Sequence, residues 1–179
     1  MLWSAYTYQI IGNDVASELL PGSEDIKSFC PNYGNMTNSE KVNFWAFLVS
    51  AMAKSASGFD PLARHLDLSQ GLDAITGMPV YVEGLLQLSY NDVRDYAFCA
   101  FDWQADKNLP VKDIARSILD PVKNLDCGIK ILATQIERTK QIARAASIFA
   151  GSKIKDLEQQ TSKLPFCASA VATASSDSH

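Results

Sequence analysis

The sequence predicts a mainly α protein with one small β element, an α+β class in which helices dominate. Three observations carry this. Thr37-Asn38-Ser39-Glu40 has the spacing of a capping box and opens a long apolar run. Asp120-Pro121 sets a cap residue before proline at the first helical position. Only Met78-Pro79-Val80-Tyr81-Val82 reads as β material, enough for a small hairpin.

The elements follow in order. Asp14 to Leu20 predicts a first helix, stopped by Pro21-Gly22. Asp25 to Gly34 predicts a short turn and loop carrying Cys30 and Pro31. After Thr37, residues Val42, Phe44, Trp45, Phe47, Leu48, Val49, Ala51 and Met52 make a helix apolar almost all round, which must be central and buried. Gly58 and Pro61 end it. Asp60 to Ala74 predicts loop and short turn. Tyr90 to Phe98 predicts helix, and Leu109-Pro110 opens another through Ile118. The Asp120-Pro121 helix is expected through Leu132 and on toward Phe149, before Gly151. A last helix covers Ile154 to Leu164. These elements are read as a single domain over 1–167. The Ala-, Ser- and Thr-rich stretch 168–179 is expected to be a flexible tail.

At 179 residues, 47% apolar and 20% charged, the composition is that of a globular domain. A net charge of −4 argues against a nucleic-acid partner. The charge is uneven: residues 1–104 hold twelve acids and five bases, residues 105–163 seven acids and eleven bases. That is the pattern of solvated helix faces, or of a surface with one acidic side turned to a charged ligand. The longest nearly apolar run, Phe44 to Ala53, is about half a membrane span. The opening residues lack the features of a signal peptide, so Met1 is read as an added start on a mature protein or excised domain.

Cys30, Cys99, Cys127 and Cys167 show no CxxC spacing, so no metal site is expected. Four scattered cysteines allow two disulfides in three pairings. Oxidised cysteines fit a compartment such as the bacterial periplasm or the cell exterior.

Two further segments stand out. One is Ala56-Ser57-Gly58-Phe59-Asp60-Pro61 at the end of the buried helix; the other is Gly84-Leu85-Leu86-Gln87-Leu88 after the β element. Each alone reads as a helix stop or a hairpin edge. Together, in this order, and followed by Pro121, Asn124 and Gly128, they resemble the lysozyme-like superfamily, which includes goose-type lysozymes and lytic transglycosylases. The resemblance covers roughly residues 29–132. It is closest to bacterial cysteine-containing lysozyme domains, found as secreted peptidoglycan hydrolases and as modules of antibacterial effectors.

The resemblance implies a lysozyme-like fold with a buried central helix and a β-hairpin beside a substrate cleft. The parent activity would be cleavage of the β-1,4 bond from N-acetylmuramic acid to N-acetylglucosamine, without a cofactor. The family has a glutamate where this chain has Ala56. That glutamate is the general acid, kept protonated by its apolar surroundings and donating to the leaving oxygen. Alanine cannot donate a proton, so this chain is expected to be inactive, as an engineered knock-out or as a natural pseudo-enzyme that binds glycan uncut. A lytic transglycosylase is the other enzymatic reading.

By resemblance, Glu83 is a second acid in the cleft, and Ser57, Gln87, Tyr90 and Asn124 contact substrate. The resemblance also pairs Cys99 with Cys127 across the cleft and Cys30 with Cys167 across the domain ends. Expected partners are peptidoglycan strands and a cognate immunity or inhibitor protein. The acidic first half suggests a preference for exposed amines, as in deacetylated sugars or peptide crosslinks. Asp60 is read as a turn cap, Tyr81 as packing, Phe59 and Leu86 as core. His65 and His179 are isolated and carry no expected role.

Overall fold

The computed structural model describes residues 2–168. The expectation of a tail over 168–179 lies, beyond Ala168, outside the described residues.

The centre is α4 (Asn38–Ser57). The backbone N–H of Glu40 donates to Thr37 Oγ1 at 3.2 Å, and the N–H of Thr37 donates to Glu40 Oε2 at 2.7 Å, completing the capping box. Phe44, Trp45, Leu48 and Met52 are buried along it, and Gly58 ends it in a left-handed cap. The Trp45 indole donates to Tyr33 Oη at 2.8 Å, and the Tyr33 hydroxyl turns to the Leu19 and Leu20 carbonyls, so the Trp45 N–H is not stranded in the core. Burial pushes the Tyr33 phenol up to about 12.

Around α4 pack α1 (Leu2–Asn13) and α9 (Ile154–Ser162). The second long helix, α7 (Pro121–Thr139), packs on α1 and on the short α2 (Ala16–Leu19). Asp120 caps α7 by accepting from Val122 N and Lys123 N. The helix stops at Lys140, whose φ is 59°, and does not run on to Phe149. The cause is remote. The Asp25 carboxylate accepts from Ile142 N and Ala143 N at 2.8 and 2.9 Å and so starts a separate α8 (Ile142–Ser147). Asp25 itself directly precedes α3 (Ile26–Phe29), inside the stretch expected to be turn and loop.

Other expectations are corrected. The chain before Asp14 is helical. The Leu109–Ile118 helix does not form: this stretch is turns, closing in one 3₁₀ turn at Ser117–Leu119. There the backbone N–H of Ser117 donates to the buried Asp106 carboxylate, replacing a helical carbonyl partner. Tyr90–Phe98 shortens to α5 (Asn91–Asp95), and α6 (Trp103–Asp106) was not expected.

The β element is a two-stranded antiparallel sheet of β1 (Arg64–Leu66) and β2 (Tyr81–Glu83). Arg64 pairs with Glu83, His65 with Val82 and Leu66 with Tyr81. β1 lies in a segment read as loop, since Arg-His-Leu carries no strand pattern of its own.

Two disulfides are present. Cys30–Cys167 ties the start of the core to its end, and Cys99–Cys127 ties α7 to the segment after α5. Among the described residues, no helix is long and apolar enough to cross a membrane.

Candidate functional site

The last turn of α4 is held from two sides. On one, Ser57 Oγ is shared between the Ala53 carbonyl at 3.0 Å and the Leu85 carbonyl at 2.9 Å. On the other, Ser55 Oγ donates to the Gly151 carbonyl at 2.7 Å. Gly151 comes so close that a Cβ there would lie 3.1 Å from the Ala56 Cα. Ala56 is therefore fixed between the loop after β2 and the segment after α8.

The loop after β2 is built on one buried amide. Asn124 is 0% exposed. Its Nδ2 donates to the Glu83 and Ile118 carbonyls at 3.0 Å each, and its Oδ1 accepts from Leu86 N at 2.8 Å. Gly84 has φ 79°, and a Cβ there would overlap the Asn124 side chain, so only glycine fits. Gln87 holds an uncommon φ of 52°, and its Nε2 donates to the Gly84 and Ala63 carbonyls at 2.8 and 3.2 Å.

Between these walls lies a cavity of 390 Å³, lined by Ala56, His65, Leu66, Asp67, Val82, Gln87, Ala150 and Gly151. A second cavity of 160 Å³ shares Val82, Gln87 and Ala150 with it and is further lined by Ser89, Asp92, Asp95 and Tyr96. Together they form a groove running from the end of α4 past the sheet to α5.

Its acids differ in character. The Ser69 hydroxyl and then the Gln70 amide, both donating to Asp67, hold that carboxyl below the usual aspartate range. Burial pushes Asp92 up to about 6 against the donation of the Ser89 N–H, and the charges of Asp95 and Asp73 add to the rise. A more apolar cavity of 440 Å³ between α1 and α4, lined by Trp3, Phe47 and Phe59 among others, has no ionisable lining side chain and is not taken as the site.

The residues singled out from the sequence separate into three groups. Ala56 and Gln87 share the groove. Ser57 and Asn124 bond to backbone groups, which they hold in place. Glu83 and Tyr90 sit in a buried network instead of on the groove wall. Glu83 is 2% exposed; Arg116 meets it at 2.6 and 3.0 Å and Arg64 at 3.1 Å. Glu83, a cleft acid by resemblance, has its oxygens taken up by two guanidinium groups and does not line the groove. The Tyr90 hydroxyl donates to Asp106 at 2.8 Å and accepts from Arg116 at 3.1 Å. The Arg64 guanidinium stacks 3.3 Å over the Tyr81 ring, which packs as expected.

Two groove residues were not found by sequence reasoning, His65 and Asp67. Both stand on or beside β1, and nothing in Arg-His-Leu-Asp announces a strand. No group of three or more His, Cys, Asp or Glu positioned to hold a metal occurs among the described residues.

A buried central helix ending in a groove beside a small antiparallel sheet is the α+β architecture of the lysozyme-like fold. Compared with protein-family descriptions and with curated proteins, the chain finds no match in either. It is similar to solved structures of Bd0314 DslA. The wild-type form 2 is 24% identical with a TM-score of 0.73, over 93% of this chain and 91% of that one. Two Glu-to-Gln mutants of the same protein are each 23% identical over the same shares, with TM-scores of 0.73 and 0.75.

Proposed function

We propose that this chain binds cell-wall glycan in the groove at the end of α4, and that its scaffold is that of a muramidase whose general acid belongs at position 56. The observation that carries this reading is the meeting of Ala56, Asp67 and Gln87 in one cavity. The end of an apolar helix is where a glutamate carboxyl would stay protonated and act as acid. Asp67, held ionised by its own donors, suits the opposite task of orienting water or opposing positive charge at the sugar.

The comparison adds support. The glutamates replaced in the two Bd0314 DslA mutants lie eleven residues apart, and eleven residues beyond Ala56 stands Asp67. Hydrolysis is favoured over intramolecular transglycosylation because a second, ionised carboxylate faces the same cavity. With Ala56 in place the chain binds without cutting. The two disulfides suit action in an oxidising compartment, periplasmic or extracellular. Partners beyond the glycan, such as an immunity protein, belong to the same proposal.

The test is Ala56→Glu. The variant is expected to clear purified peptidoglycan and to release products with free reducing ends, seen by mass spectrometry. Products lighter by one water would make it a transglycosylase. A folded variant that binds peptidoglycan but cuts nothing would leave a glycan-binding module.

A further inference from the structure

We propose that His65 holds the glycan in the groove through its Nε2 nitrogen, which accepts a hydrogen bond from a sugar hydroxyl. The inference rests on the glycan-binding reading above and adds a contact that the lysozyme-like resemblance does not supply.

The argument starts at Gln87. Its Nε2 faces two backbone carbonyls, Gly84 at 2.8 Å and Ala63 at 3.2 Å. Carbonyls only accept, so the amide nitrogen must point to them and Oε1 must point the other way, toward His65. There Oε1 meets the ring Nδ1 at 2.5 Å. An amide oxygen also only accepts, so the hydrogen of that bond belongs to Nδ1. In the neutral ring this leaves the lone pair on Nε2, the nitrogen on the opposite edge.

That edge is open. The His65 side chain is exposed, it lines the cavity beside Ala56, and its Nε2 has no protein partner among the described residues. The ring is also held. β1 fixes the backbone by pairing His65 with Val82, and buried Gln87 fixes the ring orientation. An exposed side chain held this way gives up little further freedom on binding.

The lining decides the chemistry of the ligand. The cavity presents acceptors, Nε2 of His65 and the Asp67 carboxylate, among apolar Ala56, Leu66, Val82 and Ala150. No lysine or arginine lines it, so it is not built for an anion. Acceptors on an otherwise apolar wall match the hydroxyl donors and apolar faces of a sugar.

Two substitutions separate the ring's two nitrogens. His65→Asn keeps a donor near the Nδ1 position for Gln87 but removes the outward acceptor. His65→Gln keeps an amide oxygen near the Nε2 position. The probe is the β-1,4 tetramer of N-acetylglucosamine, titrated by calorimetry into the chain as it stands, with retention on purified peptidoglycan in parallel. Losing one hydrogen bond predicts that His65→Asn binds about five-fold more weakly, while His65→Gln stays within about two-fold. Ring ¹⁵N spectra of the unchanged protein should show the neutral form protonated at Nδ1. Equal binding by His65→Asn, or a ring protonated at Nε2, overturns the proposal and leaves the glycan reading standing. If the unchanged chain binds neither the tetramer nor peptidoglycan, the glycan reading itself falls, and this inference with it.

Discussion

Arg116 grips Glu83 through two parallel hydrogen bonds, Nη1 to Oε1 at 2.6 Å and Nη2 to Oε2 at 3.0 Å, with both side chains buried. Removing one charge of such a pair strands the other in low dielectric. Glu83→Gln is therefore expected to lower stability by about 3–5 kcal/mol, measured by urea unfolding. The double variant Glu83→Leu/Arg116→Met should cost less than the two single changes together, because the buried Arg116 charge is removed with its partner and only the partly exposed Arg64 loses a carboxylate.

Asn124 supports the loop carrying Gln87 through three hydrogen bonds to backbone groups. Asn124→Leu keeps the approximate volume and strands those groups. A loss of about 3 kcal/mol is expected, since each buried unsatisfied group costs about 1–3 kcal/mol. Hydrogen exchange should report it locally, with faster exchange at Leu86 N than in α4.

The disulfides should differ in weight. Cys30–Cys167 spans 137 residues and Cys99–Cys127 spans 28. In the chain-entropy account the longer loop is worth about 5 kcal/mol and the shorter about 3.6 kcal/mol. Serine pairs at each site, compared by thermal melting, should rank in that order. A reversed ranking would show that strain or residual structure outweighs loop closure.

Asp92 predicts a pH dependence. Its carboxyl is raised from 3.8 to about 6 by burial, so between those values the folded state binds more protons than the unfolded chain. Its contribution to stability is complete below about pH 4 and is lost as pH rises through about 6. Asp92→Asn keeps an acceptor for Ser89 N and removes the charge. It should stabilise the protein at pH 7 by on the order of 1 kcal/mol and change little at pH 3.5.

Asp67 offers the sharpest check on chemistry. In the Ala56→Glu protein, adding Asp67→Asn is expected to lower kcat by about 10²–10⁴-fold with little change in KM, as for loss of a positioned base. Equal fall in a variant lacking only the Ser69 hydroxyl would point instead to the local turn that Asp67 caps.

Legibility followed the distance between partners. The start of α4 was readable because Thr37 and Glu40 satisfy each other three residues apart. The start of α7 was readable because Asp120 bonds Val122 and Lys123. The break at Lys140 was not, because the cap of α8 comes from Asp25, more than a hundred residues earlier. The failed helix before Ile118 has the same cause in Asp106, buried and claimed by Ser117. In the groove, Ala56 and Gln87 were legible through their motifs. His65 was not, since only pairing with Val82 and the Gln87 amide gives it an orientation.

By itself, then, the sequence determined the helical class and the central buried helix with both of its ends. These rest on apolar pattern and on caps whose partners lie within one turn. Only the tertiary structure decided which polar residues line the groove. Burial set Glu83 between two arginines and turned Ser57 and Asn124 toward backbone, because a buried polar group must take the nearest partner that folding brings. The same folding set His65 and Asp67 on the groove and left the outer ring nitrogen of His65 without a partner among the described residues, a property of their surroundings that no residue type carries on its own.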